Sequence, residues 1–132
     1  MSFVDTSLFV AVVASRDRHH DEARALVAAH AVSGLVTSNH VRGETWTFLN
    51  RRYGHRVAVA FLKMVETTEH LDIVSISQPL EEQALRWLRQ HDEREYSFVD
   101  ATSFMLMRSL RIRDALAFDG DFTAAGFVEL RA

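Results

Sequence analysis

The chain has no cysteine, and that absence removes disulfide bridges and thiolate metal sites at once. The core must therefore stand unaided, and any metal would be held by oxygen or imidazole. One proline, Pro79, and five glycines leave no linker, repeat or low-complexity stretch among 132 residues. No apolar run approaches the roughly 20 residues that span a bilayer. Met1-Ser2-Phe3-Val4-Asp5 also lacks the basic start of a signal peptide. A cytoplasmic protein with no membrane attachment is the expectation. Lysine is almost missing too: Lys63 is the only one, so the positive charge is nearly all arginine, whose planar fork suits phosphates and bases. The net charge of -3 argues against a protein that coats nucleic acid by bulk positive charge. A hydrophobic share of 48% and a charged share of 25% are ordinary for a globular protein, and the length fits one domain across residues 1–132.

Short apolar runs alternate with longer runs spaced by three and four. Residues 1–4, 35–37, 71–75, 115–118 and 127–130 read as strands, and residues 6–14, 19–31, 39–53, 55–67, 79–91 and 98–110 as helices. Ser38 or Asn39 can cap the helix that Gly54 stops, and Pro79 suits a first helical turn. Strands alternating with helices predict an α/β domain with a largely parallel sheet.

Ligands of such a sheet bind beyond the carboxyl ends of its strands, where strand order reverses. Two predicted strands run into aspartates, Asp5 and Asp119. Each also has a local explanation: Asp5 can cap the next helix, and Asp119-Gly120-Asp121 is good turn chemistry. Glu44 lies three residues after Val41 and four before Phe48, on a stripe that should face the core. Glutamate is seldom buried unpaired, so a carboxylate aimed into a cleft is the expectation there. Ser97-Phe98-Val99-Asp100 matches a capping box, while Asp100 also heads the stripe of Phe104 and Met107. It can serve a helix end, or a metal only if it turns away. Clustered carboxylates coexist comfortably only around a cation, and an all-oxygen ligand set suits Mg²⁺ or Mn²⁺. Two such ions about 3.5–4 Å apart can activate water and steady the leaving oxygen of a phosphodiester.

Four segments in this order resemble the acidic motifs of the PIN-domain family. They are Phe3-Val4-Asp5-Thr6-Ser7, Thr37 to Thr45 around Glu44, Tyr96 to Phe104 around Asp100, and Ala115 to Phe122 around Asp119. The resemblance implies a three-layer α/β/α fold with a central, largely parallel sheet of four to five strands. A chain of this size looks like a VapC-type toxin: an Mg²⁺- or Mn²⁺-dependent endoribonuclease that cuts transfer or ribosomal RNA, is commonly dimeric, and is held inactive by a VapB-type antitoxin. It also implies that Asp5, Glu44, Asp100 and Asp119 line the metal site, with a hydroxyl from Thr6 or Ser7 beside it. Many relatives carry Thr where this chain has Ala117; Asp121 is an extra acid that could compensate, although an exposed turn residue is the simpler expectation.

Arg42, Arg51, Arg52 and Arg56 flank the Glu44 helix and are candidates for RNA contact, or for complementing the helix end in water. His19 and His20 are expected to diverge and lie exposed, and Trp46 and Trp87 to sit in core or interface. Helices 6–14 and 55–67 are apolar enough to present a docking or dimer face. Two other classes share parts of this pattern. A non-catalytic PIN-like binding module would grip RNA or protein without cutting. A phosphoryl-transfer domain would want a second Asp where Ser7 stands, and a lysine after a late strand, whereas Lys63 falls mid-helix.

Overall fold

Residues 1–132 are all described by a computed structural model. Its elements run β1 (Ser2–Val4), α1 (Thr6–Val13), α2 (His20–His30), β2 (Leu35–Ser38), α3 (Asn39–Tyr53), α4 (His55–Thr67), β3 (Leu71–Val74), α5 (Gln78–Gln90), α6 (Phe98–Ser109), β4 (Asp114–Leu116), α7 (Asp121–Ala124) and β5 (Val128–Glu129). The five strands form one sheet in the order β3-β2-β1-β4-β5, and every pairing is parallel. Phe3 stands opposite Val36 on one side and Ala115 on the other, so β1 is the central strand. β1 and β2 are buried along their whole length, as strands covered on both faces must be; β3 and β5 at the edges are only partly covered.

The chain winds outward from β1 through β2 to β3, then returns across β1 to β4 and β5. Right-handed crossovers in opposite directions put the two sets of helices on opposite faces, giving three layers. The reversal falls between β1 and β4, and their carboxyl ends open on the same crevice.

Local chemistry sets the helix ends. Ser38 accepts the Val41 amide at 3.1 Å, Ser77 accepts that of Leu80 at 3.3 Å, and Ser97 that of Asp100 at 2.9 Å. Gly54 has φ +95° between α3 and α4, a left-handed turn that glycine adopts without strain. Arg111 does the same job at the end of α6 without being glycine, at φ 58°. Around it Ile112 donates to the Met107 carbonyl at 2.9 Å and Arg111 to that of Arg108 at 3.1 Å, the double bond of a Schellman cap. Arg111 is exposed and forms no ion pair, so Arg111→Gly is expected to stabilise by about 0.5–1 kcal/mol. A thermal melt checks this, and a lowered Tm would refute it.

The core beneath the crevice is aromatic. Phe104 of α6 is fully buried and packs edge-on against Trp87, Tyr96 and Phe122, with centroids 5.1, 5.7 and 5.0 Å away. This cluster binds α5, the loop before α6, and α7 into one body, and so holds the segments that carry Asp100 and Asp119.

Two elements depart from expectation. The strand expected over 115–118 ends at Leu116, which leaves Phe118 half-buried beyond the sheet. The Asp-Gly-Asp turn is followed by α7, one helical turn that is too short to show a period in sequence.

Candidate active site

The crevice at the switch between β1 and β4 is a cleft of about 670 Å³, and Asp5, Glu44, Asp100 and Asp119 all line it. Four different stretches deliver them. Asp5 follows β1 directly, Glu44 stands on the second turn of α3, Asp100 in the first turn of α6, and Asp119 three residues beyond β4.

Hydroxyl groups hold the acids in place. The Thr6 Oγ1 donates to Glu44 Oε1 at 2.6 Å, tying α1 to α3. Ser7 Oγ donates to Asp5 Oδ2 at 2.8 Å and accepts the Phe118 amide at 3.0 Å, so one hydroxyl bridges the ends of β1 and β4. Asp5 also caps α1, accepting the Ser7 amide at 3.2 Å. Asp119 Oδ1 accepts the Asp121 amide at 3.1 Å, which starts α7. Beside it, Arg94 donates through Nε to Asp121 Oδ1 at 2.8 Å and through Nη2 to the Asp119 carbonyl at 3.2 Å.

Burial and mutual repulsion both raise these carboxyls. Burial, then the charges of Asp119 and Asp100, push Asp5 well above the usual carboxylate range, against the hydrogen bonds from Ser7. Burial lifts Asp100 to about 6; the Ser97 amide opposes this, while Asp121 and Glu44 add to it. Asp119 also reaches about 6, through burial of its carboxylate first, with the Asp121 amide opposing and the charges of Asp121, Asp100 and Glu129 adding. None of Asp5, Glu44, Asp100 and Asp119 forms an ion pair; the single arginine in the cluster is spent on Asp121.

The arrangement fits a divalent cation. Donor oxygens of Asp100, Asp119 and Asp121 lie within 4.8 Å of one another, about the span that opposite ligands of one Mg²⁺ or Ca²⁺ cover. A cation there would remove the repulsion that keeps the carboxyls high.

A family model described as "PIN domain" matches residues 2–128. The chain belongs to the PIN-domain family. Two curated relatives, from Mycobacterium tuberculosis strains CDC 1551 and H37Rv, are both named "23S rRNA-specific endonuclease VapC20". Each is 55% identical over 135 residues, an alignment covering 99% of this chain and 98% of theirs. The crystal structure of Mycobacterium tuberculosis VapC20, described as a "Sarcin-Ricin loop cleaving toxin", superposes with a TM-score of 0.94 at 52% identity and covers 100% of both chains. The chain is thus a PIN-domain protein of the VapC type, with the three-layer fold and parallel sheet of that family.

Within this PIN domain the four acids come together, but three of the sequence arguments need correction. The buried line of α3 is Val41, Thr45 and Leu49, while Phe48 is 43% exposed. Glu44 therefore does not lie on a core stripe; it is half-buried, faces the cleft beside Phe48, and is held by Thr6. Asp100 need not turn away to reach the cluster, because a carboxylate has two oxygens. Oδ2 takes the Ser97 amide at 3.0 Å in a complete capping box, and the side chain still joins the cluster. Asp121 is not simply an exposed turn residue: it is half-buried and its carboxylate lies in the acid cluster. Ala117 is fully buried, and its carbonyl accepts Arg131 Nη1 at 2.9 Å.

The basic candidates sort differently from expectation. Arg52 lines the cleft and Arg51 only an adjoining groove, while Arg42 and Arg56 line neither. His19 and His20 are half-buried rather than exposed. His20 Nδ1 bonds the Ala11 carbonyl at 2.8 Å, and His19 stacks on Phe118 in the wall of the cleft. Arg16 and Arg18, which the sequence did not single out, also line the cleft. Of the two apolar helices that could present a docking or dimer face, α1 is largely core, since Leu8 to Ala11 are buried; on α4 only Val59 is an exposed large apolar residue.

The Thr6–Glu44 bond makes a testable link. Thr6→Val should lower kcat/KM for RNA about tenfold and raise the Mg²⁺ concentration needed for half-maximal rate, with Thr6→Ser near the parent. An unchanged metal requirement in the Val variant would refute the positioning role.

Proposed function

We propose that this chain is a divalent-metal-dependent endoribonuclease toxin of a type II toxin–antitoxin pair, and that it cuts the sarcin–ricin loop of 23S rRNA. One observation carries the reading: Asp5, Glu44, Asp100 and Asp119 meet without a neutralising base at the strand-order reversal of a PIN fold. The RNA target rests on the names of relatives that match nearly the full chain at 55% identity.

Asp5, Asp100 and Asp119 would hold the cation, with Glu44 and Asp121 beside them. When bound, Mg²⁺ or Mn²⁺ supplies charge neutralisation and Lewis-acid assistance to phosphodiester hydrolysis. The chain's own contribution is placement. Thr6 fixes the Glu44 carboxylate, Ser7 sets the distance between Asp5 and the segment after β4, and Ser97 fixes Asp100 at the start of α6. Asp121 takes the place of the hydroxyl that Ala117 lacks, in competition with Arg94.

Residues 1–132 would act as one PIN domain in the cytoplasm, as a homodimer, neutralised by a VapB-type antitoxin. No helix is long and apolar enough to cross a membrane. The deciding experiment maps 5′ ends in total RNA after induction, and in purified ribosomes treated with the protein and Mn²⁺. A single new end within the sarcin–ricin loop is expected. Cleavage confined to transfer RNA would overturn the target, and no cleavage of any RNA would overturn the activity.

A further inference from the structure

The cleft has an acidic floor, which by itself repels a phosphate backbone, so something on its rim must attract one. Of the arginines around α3 only Arg52 lines the cleft; Arg51 lines an adjoining groove, and Arg42 and Arg56 (the latter on α4) lie outside both. The segment between α1 and α2 is better placed: Arg16, Asp17, Arg18 and His19 all line the same cleft as the four acids. Arg16 and Arg18 are exposed, and neither takes part in any of the ion pairs of the structure. Their charge is therefore available to a ligand.

The segment is also pre-shaped. Asp17 donates its amide to the Ala14 carbonyl at 3.0 Å, and its carbonyl receives the His20 amide at 3.0 Å. Asp17 Oδ1 accepts the His19 amide at 2.8 Å. Arg18 donates Nε to His19 Nε2 at 3.1 Å, which orients the guanidinium and leaves its terminal nitrogens without a protein partner. The His19 ring then stacks on Phe118, 4.2 Å away and inclined by 3°, while the Arg131 guanidinium sits 5.3 Å from the Phe118 ring. Phe118 is the residue before Asp119. The stack thus couples the position of two free arginines to that of a floor acid, as an enzyme must if a gripped phosphate is to lie in register with the reacting one.

We propose that the segment Ala14–His19 is the phosphate-gripping wall of the cleft, in which Arg16 and Arg18 contact the RNA backbone and His19 is a positioning residue that locks them to Phe118. This rests on the ribonuclease reading of the same site, and the test separates the two. The probe is a synthetic hairpin carrying the sarcin–ricin loop sequence. Binding is measured by anisotropy across a salt series in an Asp5→Asn background that does not cleave, and cleavage is measured in the otherwise unaltered protein.

Arg16→Ala/Arg18→Ala should weaken binding about tenfold and flatten the log Kd against log salt slope by about 1.5–2, since each lost phosphate contact removes a little under one unit. Arg42→Ala/Arg56→Ala should change neither. His19→Ala should raise KM with little change in the salt slope, and His19→Phe, which keeps the stack on Phe118 but loses the bond from Arg18, should restore it in part. Parent-like affinity and slope in the Arg16/Arg18 variant would overturn the proposal. So would loss of antitoxin binding with RNA cleavage intact, which would reassign the wall to a protein partner. If the unaltered protein binds with the Arg16/Arg18-dependent slope yet never cleaves, the wall stands and the nuclease reading falls.

Discussion

Asp5→Asn and Asp119→Asn are each expected to cut RNA cleavage by on the order of a thousandfold or more, equivalent to about 4 kcal/mol of transition-state stabilisation, with the fold retained. The two losses have one cause. An amide cannot supply the charge that a divalent cation requires, and substitutions one step further out, in groups that only orient ligands, already cost 10- to 100-fold. Retention of the fold follows from local chemistry. Asp5 caps α1, and asparagine is an equally good cap, so the Ser7 amide keeps its acceptor. Asp119 likewise accepts the Asp121 amide, which an asparagine oxygen can still do. Removing one charge also relieves the repulsion that raises the remaining carboxyls. In EDTA both variants should therefore melt at or above the parent temperature. Parent-level cleavage by either purified variant would reject the site. By contrast, Asp5→Ala should lose about 1 kcal/mol of stability as well as activity, because the cap goes too.

What could be read in the sequence divides along physical lines. The sheet and helices were legible because central strands are continuous apolar runs and helix ends carry Ser, Gly and Pro where backbone chemistry wants them. Asp5 and Asp119 were legible as acids following strands. Glu44 was reached by an incorrect route: Phe48 is apolar but exposed, so it shifted the inferred core line one step from Val41–Thr45–Leu49. Asp100 looked like a choice between cap and ligand only because sequence does not show that one carboxylate oxygen is enough for the cap. The Ala14–His19 wall was invisible because a turn has no period, and its arginines acquire meaning only when His19 meets Phe118 from far along the chain. The same holds for Asp121, whose place in the cluster depends on the four-residue α7.

Removing the metal is expected to abolish cleavage and to reverse the pH dependence of stability. For the metal-free protein, Asp100 and Asp119 titrate near about 6 when folded but near 3.8 when unfolded. Their folded values are raised, so the folded state binds protons more tightly. Stability must then increase as pH falls through about 6 and level off towards 4. Between about pH 7.5 and about pH 5.5, a group raised this far gains about 0.8 kcal/mol. Asp119 is open enough to solvent to count for less, so the two together give about 1 kcal/mol, and Asp5 acts in the same direction. For a chain of this size that is a Tm higher by roughly 3 °C or more at the lower pH. With saturating Mg²⁺ or Mn²⁺ the sign should invert. The cation binds only ionised carboxylates, so its stabilisation is largest near pH 7.5 and protons compete it away near pH 5.5. Calorimetry at the two pH values, with EDTA and with Mn²⁺, reads all four corners of this cycle. A metal-free Tm that falls on acidification, or a Mn²⁺ effect equal at both pH values, would mean that the four acids are not the cation's ligands. Recovery of RNA cleavage on adding Mn²⁺ back should track the Mn²⁺-induced rise in Tm, because the same carboxylates carry both.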